Sequence, residues 1–173
     1  VTSGSPSIET VVPVSLNDMA SHFKVSPYSS PGTSAVFIGT KSGEVFKVID
    51  AQSGSPTVSN LSGNLPFGSI SCIDIGASEN DLLVTFFNYG LTSVWQSSNG
   101  GTTWISKEGT LPDMPIRWCL YNPDNRNQVM LATETGIWST DNINTTTPDW
   151  QPTNSGLANV RVDMLRYRAS DKL

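Results

Sequence analysis

A compact polar turn occupies residues 97–104, which read SSNGGTTW. The side chain of Asn99 can accept hydrogen bonds from backbone amides of its own turn, and Gly101 can adopt a positive φ that other residues rarely take. Thr103 adds a hydroxyl group, and the ring of Trp104 is large enough to pack between strands. We therefore predict that this stretch closes a β-hairpin and that the Trp104 ring is largely buried beneath it.

The residues around this turn recur with a period of 46. Four sets of residues stand at this spacing: Leu65, Leu111 and Leu157; Ile70, Ile116 and Val162; Cys72, Trp118 and Met164; and Ile75, Tyr121 and Tyr167. An earlier copy begins near Ser21, with its loops shifted by a few residues. Periods of about 40–50 residues are typical of propellers and solenoids.

One repeat unit contains four short strands separated by turn residues, predicted at 70–75, 82–87, 93–97 and 103–107. The first strand carries apolar residues at both even and odd positions, such as Ile70 and Ile73, which point to opposite faces. Both faces of this strand are therefore expected to be covered. A four-stranded unit whose first strand is packed on both sides is typical of a propeller blade, with neighbouring blades supplying the cover.

The sequence therefore predicts an all-β fold: a β-propeller segment of about three four-stranded blades plus the inner strand of a fourth. Residues 1–16 are assigned to a linker or to a strand of a preceding blade, 17–66 to blade one, 67–112 to blade two, 113–158 to blade three and 159–173 to the start of a fourth. A propeller ring needs at least four blades. Remaining blades of the same polypeptide, or other chains, are expected to complete it.

The turn resembles the Asp-box, S-x-D/N-x-G-x-T-W, at every position; the matching residues are Ser97, Asn99, Gly101, Thr103 and Trp104. A second copy, with a lengthened loop over 139–150, is assigned to Ser139, Asp141 and Trp150. Asp-box (BNR-type repeat) propellers include sialidases, xyloglucanases, sortilin-like receptors and repeat domains of large secreted bacterial proteins. The phrases at 111–115, 131–141 and 154–158 are most similar to the last group, in Bacteroidetes-type proteins. In this family the box is a structural turn on the rim.

The resemblance implies a non-catalytic module at the cell surface or outside the cell, acting as a scaffold or in carbohydrate or protein binding. The alternative is part of a xyloglucanase-like glycoside hydrolase propeller acting on polysaccharide. Sialidases of this fold carry an arginine triad and an Arg-Ile-Pro motif that this sequence lacks. Hydrolysis with inversion requires two carboxylates across a cleft. The candidates are Asp74 and Asp163, although Asp74 is equally suited to a structural bridge.

Ligand-binding residues are expected at the mouth of the channel where the inner strands begin. Ser71, Arg117 and Asp163 occupy equivalent positions there in successive units. The neighbouring loops open to the same face, which makes the full candidate set Arg117, Asp163, Tyr89, Asn88 and Glu134. Arg117 and Asp163 are equally consistent with an ion pair between blades.

Composition and charge argue against several other classes of function. The net charge is −5 and the ten basic residues are scattered, so no basic stripe for nucleic acid exists. No apolar run approaches the ~18 residues of a membrane span, which argues against insertion. The lone His22 has no Cys or His beside it in sequence, so neither a metal nor a cofactor is implied. Cys72 and Cys119 either bridge neighbouring blades or remain two buried thiols, which is the expectation favoured here.

Overall fold

A computed structural model describes residues 16, 18–51, 53–153, 155–156, 159–168 and 170. It contains twelve strands in three separate antiparallel sheets of four, and strand order within each sheet follows the chain. We call these sheets blades one, two and three. The described residues include no helix long and apolar enough to cross a membrane. The twelve strands and their three sheets confirm the predicted all-β class.

The strands are short, as the frequent turn residues require. Blade one consists of β1 (Ala20–Val25), β2 (Ala35–Thr40), β3 (Val45–Ile49) and β4 (Thr57–Asn60). Blade two consists of β5 (Ile70–Ile75), β6 (Leu82–Phe86), β7 (Val94–Ser97) and β8 (Ile105–Ser106). Blade three consists of β9 (Ile116–Tyr121), β10 (Val129–Thr133), β11 (Gly136–Thr140) and β12 (Gln151–Pro152). The four strands predicted for blade two agree with the observed ones to within two residues at each end.

The inner strand β5 is covered on both faces, as its apolar pattern predicts. Ile73 and Ile75 pack in one cluster with Phe37 and Val45 of blade one. Cys72, on the opposite face, packs in a second cluster with residues of blade three. Blade two is therefore held from both sides by its neighbours, and the core of the molecule lies in the seams between blades.

A bulge interrupts each inner strand at its second residue. The pairing register shifts at Ser21 in β1, at Ser71 in β5 and at Arg117 in β9. A bulge bends the strand locally and turns a side chain away from the regular alternation. The bulge in β9 sets the position of Arg117 at the start of the inner strand, where the candidate site lies.

The segment 159–168 differs from its prediction as the inner strand of a fourth blade, because it contains no strand. It lies against blade three, where the backbone N–H of Val162 donates to the carbonyl of Thr133 over 3.0 Å. A strand is stabilised by hydrogen bonds to a neighbouring strand. Within the described part of the chain no strand pairs with this segment, so its apolar pattern alone does not make it extended and paired.

The face of β1 that carries Phe23 and Val25 is exposed and should make the 173-residue chain self-associate. Phe23 and Val25 are 62% and 64% exposed, whereas the equivalent Ile73 and Ile75 are buried. Exposed apolar faces of terminal repeats drive association. We expect light scattering to show concentration-dependent assembly, and we expect the double substitution Phe23→Ser/Val25→Ser to reduce it. A parent chain that stays a cooperatively folding 18.6 kDa monomer at all concentrations would contradict this expectation.

Candidate functional site

The 97–104 turn is held by its own side chains. The Ser97 hydroxyl accepts from the backbone N–H of Gly101 at 2.8 Å, and Asn99 Oδ1 accepts from that of Thr103 at 2.9 Å. Asn99 Nδ2 in turn donates to Thr103 Oγ1. Gly101 has a φ of 87°, and an added Cβ would come within 2.6 Å of Leu61 Cβ. The turn therefore requires glycine both for its conformation and for its close approach to the preceding linker.

Trp104 connects this turn to the linker between blades one and two. Its side chain is 3% exposed, and its indole N–H donates to the carbonyl of Leu61 at 2.8 Å. The backbone N–H of Trp104 donates to Asn64 Oδ1, and Asn64 Nδ2 donates back to the Trp104 carbonyl. The predicted burial of Trp104 is confirmed. The residue also fastens the outer strand of its blade to the segment that enters the blade.

The second copy of the turn lies one residue beyond the predicted register. Thr140 is the last residue of β11, as Ser97 is of β7, and its hydroxyl accepts from the backbone N–H of Asn142. Thr140 and Asn142, rather than Ser139 and Asp141, therefore correspond to Ser97 and Asn99. Ser139 bonds Thr153, and Asp141 accepts from Gln128.

Unequal loops explain why Thr140 follows Ser97 by 43 residues instead of the 46 of the period. Residues 87–93 join β6 to β7, whereas only 134–135 join β10 to β11. The shorter connection moves the second turn closer than the 46-residue period requires, and the longer loop after Thr140 restores the spacing before Trp150. Trp150 is buried, and its indole N–H donates to the carbonyl of Lys107, just as Trp104 does one period earlier. This contact links Trp150 to the segment that precedes blade three.

Near the start of the inner strands, where the channel mouth is predicted, the structure brings together three of the predicted residues. Arg117 Nε and Nη2 both donate to Glu134 Oε1, the former over 3.0 Å, and Nη1 donates to Asp163 Oδ1 over 2.9 Å. The guanidinium also lies over the ring of Phe87, 4.6 Å from its centroid. Arg117 is thus held in one orientation by a carboxylate of its own blade and a ring of the preceding blade.

The other two ligand-binding candidates, Asn88 and Tyr89, differ in their hydrogen bonding and exposure. Asn88 Oδ1 accepts from the backbone N–H of Ser69 at 2.6 Å, so this side chain closes the loop entering β5. Tyr89, the next residue, is 66% exposed in the loop between β6 and β7. Asp113 supports the same loop by accepting from the N–H of Gly90. Tyr89 therefore remains available to a ligand, and Asn88 serves the scaffold.

Two aromatic residues at this mouth were not among the sequence candidates. Phe67 precedes β5 and is 84% exposed, and Phe87 directly follows β6 and is partly exposed beside Arg117. The sequence signal was weak, because an aromatic residue next to a strand is usually taken for core. With Tyr89 they give the mouth three exposed aromatic side chains, where the sequence indicated one.

The two carboxylates considered for catalysis are not assembled into a pair. Asp74 is buried, with Oδ1 2.7 Å from Lys24 Nζ and Oδ2 accepting from the backbone N–H of Tyr121 at 2.8 Å. Burial disfavours the charge of Lys24, but the adjacent Asp74 outweighs it and raises the Lys24 pKa. Asp163 instead contacts Arg117, near the start of β9. Asp74 lies at the level of the fifth inner-strand residue, roughly 10 Å further along the strand direction.

The centre of the inner strands holds both cysteines and the histidine. The structure contains Cys72 and Cys119 as free, buried thiols, as expected. Burial opposes ionisation of Cys72, yet hydrogen bonds to the Cys119 thiol and to His22 lower its pKa to about 6. Burial and the neighbouring Cys72 raise the pKa of Cys119. The His22 ring packs edge-on against Trp118, and in the described ranges no three potential ligands are grouped for a metal.

Three sheets of this kind, joined through two-sided inner strands, define a β-propeller segment. No protein-family profile and no curated protein matches the chain. Among solved structures, an ancestral GH74 enzyme matches with a TM-score of 0.54 and 20% identity over 77% of this chain and 18% of its own. The GH74 enzyme of Niastella koreensis matches with a TM-score of 0.54 and 21% identity over 68% of this chain and 21% of its own.

The chain therefore spans about a fifth of the length of these enzymes. The likeness concerns the fold, and the predicted propeller class is confirmed by it.

Proposed function

We propose that this chain is part of a secreted or cell-surface propeller whose channel mouth binds glycans without cleaving them. The observation that carries the proposal is the Phe87 ring packed on the fixed guanidinium of Arg117, together with the exposed rings of Phe67 and Tyr89 in the neighbouring loops. Contiguous exposed apolar patches, especially those with a polar rim, mark sites of contact with a ligand or partner. Aromatic rings offer flat apolar surfaces for sugar rings, and a few oriented polar groups then select among sugars.

Two features favour binding over hydrolysis. The buried Asp74 carboxylate already has Lys24 and the Tyr121 amide as partners. Asp163, the other candidate, is engaged by Arg117 at a different level of the inner strands. A pair of carboxylates with a free water between them, which inverting hydrolysis requires, is therefore missing from these two residues. The alternative is that the chain forms part of a hydrolase propeller, as its GH74 neighbours are enzymes.

We also propose that residues 97–104 are an Asp-box and that its role is structural. The hydrogen bonds of Ser97 and Asn99 are confined to the turn, and those of Trp104 reach only the preceding linker. This turn follows β7, whereas the predicted channel mouth lies where β5 and β9 begin. An Asp-box assignment is consistent with a secreted propeller, as is the low charged fraction of 14%.

A polysaccharide retention assay tests the binding role. The chain is immobilised and exposed to a panel of soluble polysaccharides, and both retained polymer and released oligosaccharide are measured. We expect retention without release, weakened at least about tenfold in Phe87→Ala/Tyr89→Ala because two stacking surfaces are lost. Ile105→Ala is the matched control, since Ile105 is equally apolar and exposed but lies on the outer strand β8.

Release of oligosaccharide by the parent chain would favour the hydrolase alternative. Retention of protein ligands but of no polysaccharide would contradict the glycan proposal.

A further inference from the structure

The predicted mouth contains an exposed carboxylate that is bound to Arg117. Asp163 belongs to the segment 159–168, which forms no strand, and its side chain is 58% exposed. Its Oδ1 accepts from Arg117 Nη1, and Arg161 contacts the same carboxylate through Nε and Nη2 at 3.2 Å. One exposed carboxylate is therefore bound by two guanidinium groups at the edge of the aromatic surface.

The two sides of the Arg117 guanidinium play different roles. Nε and Nη2 are used by Glu134, and the ring of Phe87 covers one face, so the group keeps its orientation whatever lies at Nη1. The side chain of Arg117 is only 17% exposed. Guanidinium groups fixed in this way recognise carboxylates by geometry as well as by charge.

The contact between Arg117 and Asp163 is suited to exchange with the carboxylate of a ligand. Asp163 is the exposed partner of this pair, with its side chain 58% exposed, so water screens the contact and another carboxylate can replace it. Glu134, by contrast, belongs to the turn between β10 and β11, its side chain is 28% exposed, and it accepts two hydrogen bonds from Arg117. The arrangement thus separates a fixed partner of Arg117 from a replaceable one.

We propose that Arg117 recognises the carboxylate of an acidic polysaccharide built from uronic acid units, and that Asp163 holds this position until the ligand displaces it. The inference rests on the proposed glycan-binding function of the mouth and names its ligand class. A sugar is favoured over an acidic peptide because the Phe87 ring packs on the guanidinium, and Tyr89, two residues further along the same loop, exposes a second ring to a pyranose.

The negative net charge of the chain allows a local carboxylate site to be distinguished from general attraction to a polyanion. With a net charge of −5, the chain repels a polyanion at long range, so retention of one requires a local site. Polygalacturonate and its carboxyl-reduced, neutral form provide a matched pair of probes with the same linkages. Binding of each is measured by isothermal titration on the parent chain and on three variants.

We expect Asp163→Asn to increase the ratio of affinity for polygalacturonate to that for the reduced polymer by about five- to tenfold, because the internal competitor is removed. Arg117→Gln is expected to abolish that preference. Asp141→Asn carries the same change of charge on the outer rim and is expected to leave the ratio unchanged. Circular dichroism of each variant verifies that it is folded.

An unchanged ratio in folded Asp163→Asn would overturn the inference, even if Arg117→Gln failed to fold. In that case, binding of the reduced polymer that depends on Phe87 and Tyr89 would leave the proposed glycan-binding function standing. Failure of every polysaccharide to bind would remove the proposed function itself. Equal enhancement of poly-glutamate binding in Asp163→Asn would show that the carboxylate is not recognised as part of a sugar, which also overturns the proposal.

Discussion

Trp104→Ala is expected to lower the free energy of unfolding by roughly 3–5 kcal/mol, the usual range when a buried tryptophan is truncated. Trp104 packs with Leu61 and Leu65 in the seam between blades one and two, and its indole N–H satisfies the carbonyl of Leu61. The variant loses both the apolar contacts and the link between the outer strand and the preceding linker. For a domain of this size the melting temperature should fall by roughly 10 °C.

Trp104→Phe is the matched control for this prediction. It keeps most of the ring and loses the indole N–H, so it should cost clearly less than the alanine variant. Thermal and chemical unfolding followed by tryptophan fluorescence and circular dichroism provide the measurement. A Trp104→Ala chain that melts with the parent would contradict the structural role of the 97–104 turn. Loss of glycan affinity without loss of stability would contradict it as well.

Asp74→Ala is expected to lower the free energy of unfolding by about 3 kcal/mol, because the carboxylate connects three inner strands. It accepts from the Tyr121 amide of β9 and pairs with Lys24 of β1, while Asp74 itself belongs to β5. Removal of the carboxylate leaves the buried Tyr121 amide without its acceptor and Lys24 without its counter-charge. Both losses strongly lower the stability of a folded protein.

Asp74→Asn and Lys24→Met separate the two contributions. The asparagine variant retains an acceptor for the Tyr121 amide and loses only the charge, so we expect an intermediate stability from chemical unfolding. The double variant Asp74→Ala/Lys24→Met should be less destabilised than the sum of its parts, because the pair is coupled. Additive effects, or an Asp74→Ala chain as stable as the parent, would show that the bridge contributes nothing.

Part of the site could be predicted because the relevant signals are local or repeat along the chain. Arg117 and Asp163 were placed at one mouth by the 46-residue period and Glu134 by the loop that opens to the same face, and the structure joins them by hydrogen bonds. Phe67 and Phe87 were missed, because their exposure depends on which neighbouring loops cover them. A residue's exposure is a property of the surrounding blades and not of its own segment.

The sequence by itself determined the strands of blade two and the burial of Trp104. Alternating apolar residues and glycine-containing turns act within a few residues, so they specify a hairpin before any distant contact forms. It also indicated two-sided packing of β5, since apolar residues at both parities leave no face for water.

The tertiary structure alone decided three other features. The register of the second turn, at Thr140 and Asn142, depends on loop lengths that the average period conceals. The roles of Asp74 depend on partners 50 residues before it and 47 after it in sequence. The segment 159–168 forms no strand despite its apolar pattern. The partners of Asp74 and the contact of Val162 with Thr133 join residues far apart in the chain, and local preferences carry no information about which distant groups will meet.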